Sequence, residues 1–209
     1  MVGPAAHMSG SRILLRKLRE IMEAGGSAQE RLDRLVAMVG STMVADVCSI
    51  YLRRGALHEL FATQGLKPEA VHRTKLKEGE GLVGLVSSTA RPLRLTDAFS
   101  HPRFSYRPET GEDPFHAFLG VPILRTGGVT GVLVVQNRTE RTYREEEIDT
   151  LQTIAMVLAE IVHTLKIVAD AQAAPDKRAR GPGGGSLKGR IFCEGLGFGR
   201  AVLHDPVVP

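Results

Sequence analysis

Tryptophan is absent from the 209-residue chain, cysteine occurs only twice, and no run of 18 uncharged apolar residues is present. Because a transmembrane helix needs about 20 consecutive apolar residues, the sequence predicts no membrane span. Cys48 and Cys193 lie in unlike segments, which argues against a disulfide framework and against a zinc site. So few cysteines are typical of a reducing compartment, and we therefore expect a cytoplasmic location.

A large excess of charge of one sign is also missing, since 27 basic residues face 23 acidic ones and the net charge is +4. The basic residues are dispersed apart from a small cluster at residues 177–180. With no tryptophan and few aromatic residues, the sequence does not indicate a nucleic-acid-binding surface. An apolar content of 43% excludes global disorder and, at this length, predicts one domain with short additional segments.

Two apolar runs around a glycine-rich break form the centre of the predicted fold. Phe118–Leu124 and Val129–Val135 are short and β-branched, which favours strands over helices. Thr126–Gly128 supplies the turn between them, because glycine accepts positive φ without steric cost. Neither run alternates apolar with polar residues, so we expect this hairpin to be covered on both faces in the middle of a sheet.

Helices and further strands are predicted on both sides of this hairpin. Residues 9–22 have a one-sided apolar stripe that predicts a first helix, and Ser27 with Glu30 forms a capping box that predicts a second. Glycines in Glu78–Val86 superficially resemble a dinucleotide fingerprint, but the preceding segment is polar and lysine-rich, so we predict a short helix there. The remaining predicted strands are Val47–Arg53, Leu57–Gln64, Val71–Leu76 and Leu93–Thr96.

Asp97–Asp113 is a long polar loop. Loops of this length inside a compact domain are uncommon unless they act as lids or binding loops. The loop combines aromatic with charged side chains, a mixture that suits a small polar ligand. The alternative is an ordinary surface crossover whose aromatic residues fix it to the core, and the residues alone leave both interpretations open.

The last predicted helix begins near Arg144 and extends to Asp170. Its apolar residues follow the 3-4-3-4-3 spacing of a coiled coil. At the α-helical rise it spans roughly 40 Å, which exceeds what one small sheet can cover. We therefore predict a homodimer in which this helix contacts a partner helix through Ile148, Leu151, Ala155, Leu158, Val162 and Leu165.

The order of these elements resembles that of a GAF domain. The closing half is carried by FLGVPILRTGGVTGVLVVQNR, followed by Tyr143 and Glu146–Glu147. Asn137–Arg138 departs from the N-K…F…D-E signature of nucleotide-binding GAF domains, which weighs against a cyclic nucleotide. The stretches VHRTKLKEGEGLVGLV and SHPRFSYRPETGEDPFHAFLGVPILR resemble more specifically the amino-terminal GAF domain of the nitrogen-related Enzyme I of the bacterial phosphotransferase system.

The resemblance implies an α+β, GAF/PAS-like fold. We expect a central antiparallel sheet of about six strands, with the amino- and carboxy-terminal helices on one face and a lid loop on the other. The expected organisation is a vector-derived leader at 1–8, a GAF sensor domain at 9–172 and a flexible linker at 173–186. Residues 187–209 resemble the opening of the phosphohistidine domain of the same family, which would be truncated here.

The family is implied to be a phosphoenolpyruvate–protein phosphotransferase that autophosphorylates on a histidine with Mg²⁺ and passes the phosphate to an HPr-like carrier. Its GAF domain is implied to sense nitrogen status, with glutamine as the ligand. None of the seven histidines has the family's G-G-x-x-S-H-x-A-I context. We therefore expect no catalytic residue, cofactor or metal within this chain, which would not itself be an enzyme.

We predict that glutamine binds between the sheet and the loop. A free amino acid needs a cation for its carboxylate and an acceptor for its ammonium group. The candidate cations are Arg94, Arg103 and Arg107, and the candidate acceptors are Asp97 and Glu109. Tyr51 and Phe104 would form the walls of the pocket. The alternative is a dimerisation module that binds no ligand, and the coiled-coil spacing of the last helix supports it equally.

Overall fold

The computed structural model describes residues 16–110 and 115–173, of which 164–173 are described as helix backbone only. The predicted leader, almost all of the linker and the segment 187–209 lie outside the described residues, as does the side chain of Leu165. Within the described part, no helix is both long and apolar enough to cross a membrane.

Six antiparallel strands form one sheet, as the sequence predicts. The strands are β1 (Val47–Arg54), β2 (Leu57–Gln64), β3 (Lys75–Lys77), β4 (Leu93–Leu95), β5 (Ala117–Arg125) and β6 (Gly128–Asn137). Their order across the sheet is β3-β2-β1-β6-β5-β4.

The predicted hairpin is confirmed as β5 and β6, which occupy interior positions in this order. Gly127 and Gly128 form its turn with φ of +102° and +127°, a conformation that favours glycine. Leu119 and Leu133 belong to the core cluster on one face of the sheet, and Val134 belongs to the cluster on the other. The absence of alternation in the sequence therefore reflects burial on both faces.

Three helices cover the first face, here called the helix face. They are α1 (described from 16 to 23), α2 (Ala28–Met43) and α4 (Glu145–Ala173). The capping box at the start of α2 is confirmed: Glu30 N–H donates to Ser27 Oγ at 3.2 Å, and Ser27 N–H donates to Glu30 Oε2 at 3.2 Å. Leu18, Leu35 and Leu158 pack from these helices onto the sheet.

A short helix and the long loop cover the second face, here called the loop face. The helix α3 (Gly81–Thr89) contributes Leu82 and Val86 to its core cluster. The loop contributes Ala98, and Phe115 follows at its far end. The predicted arrangement, with helices on one face and the loop on the other, is therefore confirmed.

The apolar repeat of α4 packs against the chain's own sheet. The five described residues of the predicted dimer set are at most 8% exposed and belong to the helix-face core: Ile148, Leu151, Ala155, Leu158 and Val162. Packing on the sheet explains their spacing, and burial removes them from the surface where a partner helix would bind. A homodimer stays a prediction and would use another surface.

The edge strand β3 is shorter than the strand Val71–Leu76 predicted from the sequence. The first residues of that predicted strand form a turn, which follows the 3-10 helix Pro68–Ala70. His72 has φ of +62°, and Thr74 N–H donates to Ala70 O at 2.9 Å. Pro68 favours this turn because its ring fixes φ, so regular pairing starts only at Lys75.

Candidate functional site

A small pocket lies on the loop face, where the sheet, α3 and the loop meet. Its cavity volume is about 30 Å³, which is room for about two water molecules. Apolar side chains from three elements form most of its floor and sides, namely Leu76, Leu82, Val83 and Phe118.

Two aromatic side chains form further parts of the wall. Tyr51 projects from β1 and is 2% exposed, whereas Phe104 lies in the loop and is partly buried. The ring of Phe99 packs edge-on against that of Phe104 with their centroids 4.8 Å apart. Both walls predicted from the sequence therefore line the pocket, and the loop reaches it through an aromatic pair.

Two polar atoms at the pocket are buried without a hydrogen-bond partner. They are Thr74 Oγ1 and Arg107 Nε, and both residues line the cavity. Leaving a buried donor or acceptor unpaired costs about 1–3 kcal/mol. Because Thr74 is only 2% exposed, its hydroxyl has no bulk water to pair with. A ligand with acceptor oxygens would satisfy both groups.

Arg107 also connects the loop to the start of α3. One of its terminal nitrogens, Nη2, pairs with Glu80 Oε1, and Glu80 Oε2 accepts a hydrogen bond from Lys77 N–H at 2.8 Å. Glu80 is the residue immediately before α3. The Arg107–Glu80 pair, here called the latch, therefore fixes the loop to the start of α3 beside the pocket.

Backbone contacts next to the latch hold the same part of the loop. Thr110 donates from N–H at 3.0 Å and from Oγ1 at 2.7 Å to Arg107 O. Lys67 N–H donates to Thr110 O at 3.1 Å, and Lys67 Nζ donates to Pro108 O at 3.4 Å. These contacts tie the loop to the turn after β2, so the latch and this turn clamp the loop from two sides.

Four of the seven predicted ligand residues do not line the pocket. Arg94 Nη1 donates to Tyr143 O at 3.0 Å and pairs with Glu145 Oε1 at 2.8 Å, at the start of α4. Arg103 Nη1 donates to Gly79 O at 3.0 Å and so fixes the loop to the turn before α3.

The two predicted acceptors also lie elsewhere. Asp97 Oδ1 accepts a hydrogen bond from Phe99 N–H at 3.2 Å and lies 3.1 Å from His116 Nδ1. Glu109 is exposed on the loop surface. The structure thus brings together Tyr51, Phe104 and Arg107 among the seven predicted residues.

Four polar residues at the site were not predicted. Thr74, Ser105 and Gln136 line the pocket, and Glu80 forms the latch. Gln136 could have been found, since it lies two residues after Val134 on the same side of β6 and is therefore a polar residue at a buried position. No comparable signal marked Thr74, because the turn that places it interrupts the expected alternation.

Burial shifts the pKa values of three side chains outside the pocket. Burial raises the pKa of the Cys48 thiol far above its usual range, and the residue belongs to the helix-face core. Burial likewise raises the pKa of the Tyr143 phenol, whose hydroxyl donates to Asn137 Oδ1 at 2.9 Å. Burial, followed by the nearby Arg53 charge, lowers the pKa of His58 from its ordinary 6.5.

Comparison with known proteins agrees with this geometry. The family model of the GAF domain matches residues 27–162, which is more than half of the chain. The chain belongs to the GAF domain family. The matched range contains β1 to β6, the loop and the pocket of this GAF domain.

Two curated relatives are similar to this GAF domain over most of its length. Both are named "Phosphoenolpyruvate-dependent phosphotransferase system", one from Salmonella typhimurium and one from Escherichia coli. Each is 42% identical over 163 residues, which is 75% of this chain and 22% of the relative. The chain therefore spans about a fifth of the length of these relatives.

Two solved structures extend this similarity to the fold. The GAF domain of a phosphoenolpyruvate-protein phosphotransferase from Coxiella burnetii is 34% identical, with a TM-score of 0.73, and the match covers 78% of this chain and 98% of that one. The equivalent domain from Acinetobacter is also 34% identical, with a TM-score of 0.65 and coverage of 76% and 98%. The resemblance predicted from the sequence is thereby confirmed: this is a GAF domain of the phosphotransferase-system type.

Proposed function

We propose that this GAF domain is the regulatory sensor of a nitrogen-related Enzyme I and that it binds glutamine on the loop face. The observation that carries the proposal is the pair of unpartnered polar atoms, Thr74 Oγ1 and Arg107 Nε, at one cavity. The similarity to phosphotransferase GAF domains supports the choice of family.

The proposed contacts use the residues that the pocket brings together. Arg107 and Thr74 would bind the ligand carboxylate, because a guanidinium and a hydroxyl are both donors. Gln136 lines the cavity and can exchange two hydrogen bonds with the ligand's side-chain amide. Glu80, as the carboxylate of the latch, takes the place of Asp97 and Glu109 as the acceptor for the ammonium group.

Binding would require the loop to move. A cavity of about 30 Å³ is too small for a free amino acid, so the ligand must displace the part of the loop that includes Phe104. It would compete with Glu80 for Arg107 and thereby open the latch. Such a ligand shifts the population between two states only because it binds the open state better.

The base of the loop offers a route from the pocket to α4. Arg94, on the strand that leads into the loop, contacts Tyr143 O and Glu145 at the start of that helix. Thr96 Oγ1 lies 3.0 Å from Thr142 Oγ1 beside it. In the full-length protein the helix would relay the loop position to the catalytic domains. The proposed output is Mg²⁺-dependent autophosphorylation from phosphoenolpyruvate and transfer to an HPr-like carrier.

Isothermal titration calorimetry with glutamine tests the proposal directly. We expect saturable binding to the wild-type chain and at least about tenfold weaker binding to Thr74→Val, which corresponds to the loss of one hydrogen bond to a charged group. Valine keeps the shape of the side chain, so the fold is retained. Glu109→Gln serves as a matched control on the exposed loop surface and should bind like wild type. A folded wild-type protein that gives no heat at millimolar glutamine would refute the proposal.

The second candidate is a dimerisation module without a ligand, and the small cavity volume favours it. Because Leu151 and Leu158 are core residues, the exposed side of α4 is the surface to examine. Met156 is 68% exposed there. Sedimentation should show a dimer in the wild type and a monomer in Met156→Asp if this surface mediates association. A monomeric wild type would exclude the dimerisation module.

A further inference from the structure

A second cluster of chemically competent side chains lies at the base of the loop, outside the pocket. Asp97 follows β4, His116 immediately precedes β5, and Glu140 lies between β6 and α4. Two backbone hydrogen bonds hold these segments side by side: Ala98 N–H donates to His116 O at 2.7 Å, and His116 N–H donates to Asn137 O at 2.9 Å. The sheet therefore fixes the relative positions of the three segments.

The three side chains point to a common position. One ligand atom from each of Asp97, His116 and Glu140 lies within 4.8 Å of the other two. Asp97 Oδ1 and His116 Nδ1 are 3.1 Å apart, which is close to the separation of two neighbouring ligands on one ion with bonds of about 2.0–2.2 Å. Asp97 and His116 are partly exposed and Glu140 is exposed, so an ion can reach them and Glu140 can adjust its rotamer.

The cluster combines two carboxylates with one histidine. Two carboxylates that approach each other repel unless a cation lies between them. Among the described residues, no lysine or arginine forms an ion pair with Asp97 or Glu140, and the partner of Asp97 is His116. By contrast, the pair His72–Glu59, with 2.8 Å between Nδ1 and Oε1, has Arg54 beside it at 3.9 Å from Glu59. The Asp97–His116 pair therefore differs from the His72–Glu59 pair, since a second carboxylate and not an arginine lies beside it.

We infer that Asp97, His116 and Glu140 form a binding site for a divalent transition-metal ion of the zinc type. One imidazole nitrogen with two carboxylates suits such an ion better than Ca²⁺ or Mg²⁺, which prefer oxygen ligands. Three protein ligands leave a further coordination position for water. This site uses neither cysteine of the chain.

Occupancy of this site would stabilise the closed loop. The ion would connect the first residue of the loop, Asp97, with His116 at its end and with the segment before α4. The His116 ring packs against Phe99 with centroids 4.9 Å apart, and Phe99 packs against Phe104, which lines the pocket. The ion would thus act on the pocket through two aromatic contacts.

The test uses the full 209-residue chain after chelator treatment. Calorimetric titration with Zn²⁺ should show one saturable site per chain, and Co²⁺ should give visible d–d absorption with the same stoichiometry. Glu140→Gln and His116→Gln should each weaken Zn²⁺ binding at least about tenfold, a loss that is reached even when a residue hydrogen-bonded to a metal ligand is replaced. Zn²⁺ should also slow hydrogen exchange at residues 98–110 in the wild type and have no such effect in Glu140→Gln.

His72→Asn is the matched control, because it removes a histidine–carboxylate pair to which the described residues add no third histidine, cysteine or carboxylate ligand. Asparagine also tolerates the positive φ of this position. It should bind Zn²⁺ like the wild type. The absence of saturable binding, or equal affinity in the wild type, Glu140→Gln and His116→Gln, would overturn the inference. Because glutamine is absent from the titration, this outcome does not depend on the proposed sensor function.

Discussion

The helix face of the sheet buries a continuous apolar cluster, whereas the loop face mixes apolar side chains with polar atoms that have no partner. Among the residues that the structure describes, these atoms belong to His58, Thr74, Ser87 and Arg107 on the loop side and to Arg31 on the helix side. Buried polar groups are normally hydrogen-bonded. A group of unpaired ones on one face therefore indicates a role other than stabilising the fold, such as binding a ligand. The helix face stabilises the fold, and the loop face is where a ligand would act.

The largest effect is expected on the helix face. Leu151 is fully buried between α4 and the sheet, so Leu151→Ala should lower the free energy of unfolding by about 2–5 kcal/mol. Met156→Ala, on the exposed side of the same helix, should change it by less than about 0.5 kcal/mol. Urea unfolding measures both. Similar values for the two variants would contradict the assignment of the apolar repeat of α4 to the core.

A smaller effect is expected from opening the latch. Arg107→Ala removes the pair with Glu80, which is partly exposed to water, so the free energy of unfolding should fall by about 1 kcal/mol or less. Hydrogen exchange at residues 103–110 should nevertheless become faster, because the loop loses a local anchor. Glu109→Ala is the matched control on the loop surface. Unchanged exchange in Arg107→Ala would mean that the backbone contacts alone hold the loop.

Lowering the pH should destabilise the fold through protonation of His58 on the loop face. This residue is buried on the same side of β2 as Leu60, and burial lowers its pKa below the ordinary 6.5. The folded state therefore binds a proton more weakly than the unfolded state, so stability falls as the pH drops below about 6.5. His58→Leu should show a shallower loss of stability on the acid side. Equal pH profiles, measured by thermal unfolding, would show that other groups dominate.

The smallest loss of stability is expected at Thr74. Its hydroxyl has no partner in the described structure, so Thr74→Val removes a buried unpaired group and should keep or raise the free energy of unfolding. A loss of more than about 1 kcal/mol would show that the hydroxyl has a structural partner in solution. Thermal unfolding without ligand distinguishes the two results.

The helix face could be predicted from the sequence in most respects. The capping box of Ser27 and Glu30, the strand pattern of β1 and β2 and the doubly buried hairpin all follow from local rules that the structure obeys. The apolar repeat of α4 has the predicted period, but it packs against the chain's own sheet and not against a partner helix. Coiled-coil spacing and packing on a sheet produce the same stripe, and only the tertiary contacts distinguish them.

The loop face was predicted less completely because its site depends on side chains that are far apart in the sequence. Arg107 was a candidate, but its partner Glu80 lies 27 residues away. Arg94 was expected at the ligand and instead contacts the start of α4. Asp97, His116 and Glu140 have no spacing typical of a metal motif, since the sheet alone brings them together. Local patterns predict which residues are polar and buried, but not which of them meet.

Hydrogen exchange with and without glutamine tests the central claim most directly, since it reports on both faces of the sheet in one experiment. The account predicts that millimolar glutamine changes exchange in the loop (97–110) and around the start of α3 (residues 77–86). Exchange in α2 (Ala28–Met43), which lies on the helix face, should remain the same. A folded protein with unchanged exchange everywhere, or with equal changes on both faces, would contradict the account.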